Sequence, residues 1–320
     1  MIPVVILAAG GGKRLGPVGE KHRKVLLPVG DRSLLAHHLG IFSAIGARRF
    51  ILVVDPQAEE VAAEARRCLG AGGGSCEVVE QARRLGIGHA ALLAEPWVRG
   101  GPFVLVLGDT YYEPRDLAGA AREIAAGEAD ALLSVRRVED EALIRKECSI
   151  ELDARGLVRR IVEKPPRALS DLKPCGVYFF GPRLLEALRG TPPSALRGEV
   201  ELTDAVQRLI AQGGRVGVRE TLKRDVNITF PEDILAANLA WLEERGRGRY
   251  VDPQAVLGEG ARVERSVVSR GARVGAGAGL ERCVVFPGGE VPAGARLSDA
   301  LCVPGLGEVG CASGRPGGRP

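Results

Sequence analysis

The chain opens on an unbroken apolar run, Met1 to Ala9 (MIPVVILAA), rich in β-branched residues. Such a run, uninterrupted by polar positions, is the pattern of a strand covered on both faces. Phe50 to Val54 and Phe103 to Leu107 repeat it. Between them the period changes. Ser33 to Ile45 carries apolar residues at 34, 35, 39, 41, 42 and 45, a helical spacing that Gly46 ends. Helices are also predicted from about Gln57 to Leu69 and from Gly88 to Glu95, with a short strand at Cys76 to Glu80. Strand and helix alternate over the first half, which predicts a doubly wound α/β sheet. In such sheets ligands bind at the carboxyl ends of the strands.

From about Ala131 the pattern shifts. Leu132 to Val135, Ser149 to Leu152, Leu157 to Val162 and Cys175 to Phe180 read as strands. Asp153 to Gly156 is a turn joining two of them, so this region is predicted as an antiparallel addition that makes the sheet mixed. A helix opens at Thr203 and Asp204, with Thr203 as its N-cap, and runs to about Gln212. Asp225 to Ile228 is a short strand, and Pro231 starts a helix to about Arg245.

The end of the chain has another period. RSVVSRGARVGAGAGLE (265–281) and RCVVFPGGEVPAGARLS (282–298) align at 17 residues, with a partial third copy from Asp299. Apolar positions fall at 251, 257, 263, 268, 274, 280, 285, 291, 297 and 303, mostly six apart with one shorter step per copy. That spacing predicts a short left-handed parallel β-helix of hexapeptide repeats. The predicted organisation is an α/β domain over 1–246, the β-helix over 250–312, and a disordered tail at 313–320.

The first strand runs into Gly10, Gly11 and Gly12, then Lys13 and Arg14, with Lys24-Val25-Leu26-Leu27-Pro28-Val29 after a polar stretch. Glycines let backbone amides turn toward an anion, and nearby cations neutralise it. The loop is neither a P-loop nor a dinucleotide fingerprint, because the required spacings are absent. Asp109 and Asp225 each stand at a strand end, where a carboxylate is a helix cap, an ion-pair partner or a metal ligand. Glu163-Lys164-Pro165, Cys175-Gly176 and Gly198-Glu199-Val200-Glu201-Leu202-Thr203-Asp204 carry further polar chemistry, as does Gln81 with Leu85-Gly86-Ile87-Gly88-His89-Ala90.

These motifs, in this order over residues 1 to about 245, resemble the sugar-phosphate nucleotidylyltransferases. The opening loop matches L-A-A-G-x-G-T-R-L followed by K-x-L-L-P-V, except that Lys13 stands where that family has Thr or Ser. The resemblance implies a Rossmann-like nucleotidyltransferase sheet and transfer of a nucleotidyl group from an NTP to a sugar 1-phosphate. It implies that Leu7, Ala8, Ala9, Gly10, Gly11, Gly12 and Lys13 hold the triphosphate, with Gln81, Gly86 and Ile87 on the base. Gln offers a donor and an acceptor, which suits a pyrimidine and favours dTTP or UTP. It implies that Gly108, Glu163, Lys164, Gly176 and Glu199 hold the sugar phosphate, with glucose 1-phosphate the default. Arg14, Lys24 and Lys164 would neutralise charge during transfer, and Asp109 and Asp225 would hold Mg²⁺. A catalytically silent NDP-sugar-binding homologue and transfer to a non-sugar phosphate are the alternatives.

Composition narrows the partners. The 320 residues carry a net charge of +4 and only 4% aromatics, with both charge signs scattered, which argues against nucleic acid. The first apolar run is too short to span a bilayer, so no membrane partner is expected and the protein is expected in the cytoplasm. Seven cysteines without a C-x-x-C and four scattered histidines predict reduced thiols and no zinc site. The repeat tail is expected to be structural and to support a homo-oligomer. Without a histidine after His89, it lacks an imidazole base for acyl transfer.

Overall fold

The computed structural model describes residues 2–311 except 71 and 196. The tail at 313–320, predicted as disordered, lies outside the described residues. The chain divides into two compact units, one of residues 1–10, 38–108 and 112–225, the other of 11–37, 109–111 and 226–320. This division differs from the boundary expected near residue 246.

The first unit is built on a seven-stranded sheet. Its strands in chain order are β1 (Val4–Ala8), β2 (Arg49–Val54), β3 (Ser75–Glu80), β4 (Phe103–Leu107), β5 (Ala131–Arg137), β6 (Leu172–Phe180) and β7 (Val216–Arg219). Their spatial order is β7-β5-β6-β4-β1-β2-β3. β1 pairs in parallel with β2 and β4, so the three continuous apolar runs lie side by side. Only β6 runs against its neighbours, antiparallel to both β4 and β5. The sheet is mixed, as the pattern predicted, but through a different segment. Cys148–Leu152 and Val158–Glu163 pair with each other in a separate two-stranded hairpin instead of extending the sheet. The chain reaches β6 from that hairpin without a crossover helix, and so enters the sheet with its direction reversed. Val5, Val53, Leu105, Leu133 and Phe180 share one buried cluster on this sheet.

The second unit joins the cationic loop to the repeats. Helix Pro231–Glu244 starts with Pro at its first turn, and Asp233 accepts from the amide of Phe230 at 2.7 Å. Its Trp241, fully buried, shares a cluster with Leu15 and Val18 of the loop and with Val284, Phe286, Leu301 and Val303 of the repeats. Asn238, on the same helix, accepts from the Gly30 amide at 2.8 Å and donates to the Pro28 carbonyl at 3.0 Å. The chain after the loop is thereby tied to this helix.

The repeats form parallel strands stacked at the spacing read from the sequence. Tyr250 pairs with Val267, Val267 with Val284, Val256 with Arg273, Arg273 with Glu290, and Leu280 with Leu297, each partner 17 residues on. Val263, Val268, Val274, Leu280, Val285 and Val291 are all buried in one cluster. Leu257 is 38% exposed because its strand, Val256–Leu257, is at the edge of its three-stranded ladder. The stack ends in an antiparallel return, Gly307–Gly310 against Arg296–Val303.

Candidate active site

In the second unit the glycine loop is short and exact in its turns. Gly12 adopts φ +58°, a left-handed conformation open to glycine, and caps the turn Lys13–Leu15. A Cβ on Gly19 would fall 2.2 Å from the Gly12 carbonyl oxygen, so the turn and the following helix, Pro17–Lys21, pack backbone to backbone. Leu15 and Val18 are buried, whereas Gly11, Lys13 and Arg14 face solvent. The apolar positions thus anchor the loop while Gly11 and the two cations lie at the surface. Arg14 lies 5.7 Å from the centre of the Phe230 ring. That contact orients the side chain without using its hydrogen-bond donors.

Lys24 heads the turn Lys24–Leu26. Its Nζ lies 3.1 Å from Asp109 Oδ2, with the lysine side chain 11% and the aspartate side chain 34% exposed. The Asp109 carbonyl accepts from the Ile228 amide at 2.8 Å, which fixes the residue at both ends. Oδ1 of Asp109 has no partner among the described residues. Mg²⁺ binds through one or two carboxylates plus substrate phosphates, and a half-exposed carboxylate beside a cationic loop fits that mode. Among the described residues no group of three or more His, Cys, Asp or Glu side chains gathers for a metal. Substrate oxygens would have to complete the shell.

In the first unit the expected nucleotide residues are held largely by the protein itself. Leu7 and Ala8 end β1, half-buried, and the Leu7 carbonyl accepts from the Gly108 amide at 2.9 Å. Ala9 is buried and Gly10 exposed. Gln81 is buried, and its amide nitrogen lies 3.3 Å from the Gly86 carbonyl and 3.2 Å from His89 Nδ1. Gly86 has φ +99°, and a Cβ there would meet the Val200 carbonyl at 2.7 Å. The close approach that demands glycine is therefore to the chain's own backbone. Val200 donates to the Leu85 carbonyl at 2.8 Å and accepts from Gly88 at 2.8 Å. The segment expected on the base is thus strapped to the segment expected on the sugar. Ile87 is exposed beside it.

Two of the expected sugar-phosphate residues, Glu163 and Glu199, lie around Arg197, a cation the sequence did not single out. Glu163 accepts from Arg197 at 3.0 Å, and Arg197 also lies 3.5 Å from Glu201 and 4.0 Å from Glu199. Burial pushes the Glu201 carboxyl up, against the pull of Arg197. Thr203 is not the helix cap. The helix is Leu202–Ala211, Glu201 is its N-cap residue, and Thr203 Oγ1 is buried without a hydrogen-bond partner among the described residues. The cap lies two residues before the one the sequence predicts because Leu202, apolar and buried, belongs to the first turn. Lys164 is exposed with φ +44°, an uncommon conformation for lysine, and its amide donates to the Glu147 carbonyl at 2.7 Å. Tyr112 reaches the carbonyls of Leu107 and Gly176 at 3.0 and 3.1 Å.

Asp225 is enclosed through its side chain. Its side chain is 3% exposed. Oδ1 accepts from Arg136 Nε at 2.8 Å, and Oδ2 accepts from Lys173 Nζ. Burial works against the charged carboxylate, but Lys173 and Arg136 overcome it and hold the carboxyl below its ordinary range. Burial likewise works against the charge of Lys173, yet Asp225 and Glu147 hold it above the ordinary lysine range. The sequence carried Asp225 alone. Arg136 and Lys173 lie in strand segments whose apolar neighbours mask them, and only Arg197, next to Gly198-Glu199, had a motif to mark it.

A family model described as Nucleotidyl transferase matches residues 3–234. The chain is 34% identical over 278 residues to a glucose-1-phosphate thymidylyltransferase of Streptomyces antibioticus, covering 84% of this chain and 74% of that protein. It is 32% identical over 289 residues to the protein of that name from Streptomyces griseus, covering 84% and 78%. A low-salt glycan biosynthesis nucleotidyltransferase of Haloferax volcanii is 30% identical over 262 residues, covering 79% and 71%. The fold is similar to that of a UDP-glucose pyrophosphorylase solved with UDP-glucose, with a TM-score of 0.66 and 22% identity over 77% of this chain and all of that one.

Proposed function

Since the chain belongs to the nucleotidyl transferase family, we propose that it joins an NTP and a sugar 1-phosphate into an NDP-sugar with release of pyrophosphate. The observation that carries this reading is the loop of exposed Gly11, Lys13 and Arg14 above buried Leu15 and Val18, with Lys24 held on Asp109. It is built to receive a polyphosphate. The relatives' printed names supply the acceptor class, and dTTP or UTP with glucose 1-phosphate are the favoured pair.

In the reaction an oxygen of the sugar phosphate forms a bond to the α-phosphorus as the bond to the β-phosphate oxygen breaks. The nucleophile is already an anion, so no side chain needs to remove a proton. The barrier lies in aligning two polyanions, and the chain's task is positioning and neutralisation. Arg14 and the loop amides take the charge of the departing pyrophosphate. Lys24 fixes the phosphates and keeps Asp109 oriented. Lys164 draws in the acceptor phosphate, while Glu163 and Glu199, spaced by Arg197, face the sugar hydroxyls. Asp109 would hold Mg²⁺, which would supply further charge neutralisation.

The reading extends to the tail, whose 17-residue stacking we take as a left-handed β-helix serving structure and self-association, and to a cytoplasmic location. No helix among the described residues is long and apolar enough to cross a membrane. A panel of nucleotides against several sugar 1-phosphates, followed by pyrophosphate release, tests the function. Release with dTTP or UTP is the expected result. Absence of release with every pair, alongside retained NDP-sugar binding, assigns the silent homologue instead.

A further inference from the structure

The Arg136–Asp225–Lys173 arrangement carries an inference about how the acceptor is held. Arg136 and Lys173 are direct cross-strand partners in the antiparallel pair β5 and β6. Like charges directly opposite one another destabilise a sheet. Here the Asp225 carboxylate sits between them and accepts from both. Its two oxygens are each committed to a cation. A divalent ion on the same carboxylate would stand within a few ångströms of two full positive charges. Asp225 therefore does not fit the role of a metal ligand in this chain, whereas half-exposed Asp109 does.

Arg136 is held through Nε alone, and its outer nitrogens have no partner among the described residues. Its side chain is 27% exposed, whereas that of Lys173 is 6% exposed and closed in by Glu147 at 3.4 Å. Glu147 in turn accepts the Lys164 amide through its carbonyl at 2.7 Å. A continuous set of contacts thus runs from Lys164, through Glu147, Lys173 and Asp225, to Arg136. The free face of a guanidinium is a planar fork that matches two phosphate oxygens.

We propose that Asp225 is a positioning residue that presents the Arg136 fork to the phosphate of the acceptor, and that the metal relies on Asp109 without it. The proposal rests on the nucleotidyl-transfer reading for the identity of the acceptor.

The test uses the full chain with glucose 1-phosphate, dTTP and Mn²⁺. Arg136→Gln is expected to raise KM for glucose 1-phosphate by about 10- to 100-fold, as loss of charged hydrogen bonds does, with KM for dTTP changed less than about twofold. Arg136→Lys is expected to recover only part of the loss, because an ammonium is not a fork. Asp225→Asn is expected to keep Mn²⁺ affinity in the presence of dTTP within about threefold, while Asp109→Asn lowers it about tenfold or more, read by water-proton relaxation. A tenfold loss of Mn²⁺ affinity in Asp225→Asn, or an unchanged glucose 1-phosphate KM in Arg136→Gln, overturns the proposal. If Asp225→Asn does not fold, the two Arg136 variants decide it. If the wild-type chain turns over no substrate pair, the function reading fails. Calorimetric binding of glucose 1-phosphate, weakened or not by Arg136→Gln, then decides the fork separately.

Discussion

Lys24 Nζ lies 3.1 Å from Asp109 Oδ2 and is the more buried of the two, so the lysine is held where the carboxylate stays open. Removing the lysine leaves Asp109 without its partner but not buried. Lys24→Ala is expected to cost at most about 1 kcal/mol of stability, because a half-exposed pair contributes little. It is expected to lower kcat about 10²-fold, as loss of one preorganised charge does. Steady-state kinetics beside thermal unfolding separates the two effects, and an unchanged kcat removes Lys24 from the site.

Arg14 is exposed and makes a ring contact with Phe230 at 5.7 Å. Arg14→Ala is expected to leave Tm nearly unchanged and to cut kcat by about 10²–10³-fold if the guanidinium takes up leaving-group charge. A near-normal rate of pyrophosphate release sinks that role.

Lys173→Met strands a carboxylate that is 3% exposed. Arg136 remains beside it, so the cost is expected near the lower end for a broken buried pair, about 3 kcal/mol. The pH dependence has a definite sign. The folded Asp225 carboxyl lies below its ordinary value, so its contribution is present above about pH 4 and is lost as pH falls toward the folded value. Lys173→Met weakens that hold, and its acid unfolding midpoint is expected to move upward. Urea unfolding measured at a series of acid pH values reads this, and an unshifted midpoint counts against the pairing.

His37 is buried, its Nε2 donates to the Val29 carbonyl at 2.7 Å, and burial pushes its pKa down to about 4. The unfolded chain takes up a proton near pH 6.5, before the folded one does. Stability is therefore full above about pH 6.5 and falls by about 1 kcal/mol per pH unit from there toward pH 4. His37→Gln removes the titration, and its unfolding free energy is expected to be flatter over that window.

Phe286 is fully buried in the cluster that holds Leu15 and Val18 of the glycine loop. Lys21, at the end of the loop helix, donates to the Gly305 carbonyl at 3.0 Å. Phe286→Ala is expected to destabilise by about 3–5 kcal/mol. A chain ended at residue 246 also loses Leu301 and Val303 from that cluster, and is expected not to bind dTTP in a calorimetric titration. Full binding by the truncated chain shows that the loop stands without the repeats.

Local pattern decided much of this protein. The apolar runs Val4–Ala8, Phe50–Val54 and Phe103–Leu107 announced adjacent buried parallel strands, because a strand covered on both faces has no polar positions to alternate with. The 17-residue repeat set the register of the stacked strands directly, since each copy pairs with its own next copy. The glycines and cations of the loop were legible because their chemistry is contiguous. What the tertiary structure alone decided are pairings between distant segments. The antiparallel entry of Leu172–Phe180 set Lys173 opposite Arg136. Packing put Phe286 in one cluster with Leu15, and a carboxylate from near the end of the first unit between two cations. Periodicity encodes which face of a segment is buried. It does not encode which distant segment that face meets, and that meeting is what set the Asp225 carboxylate between Arg136 and Lys173.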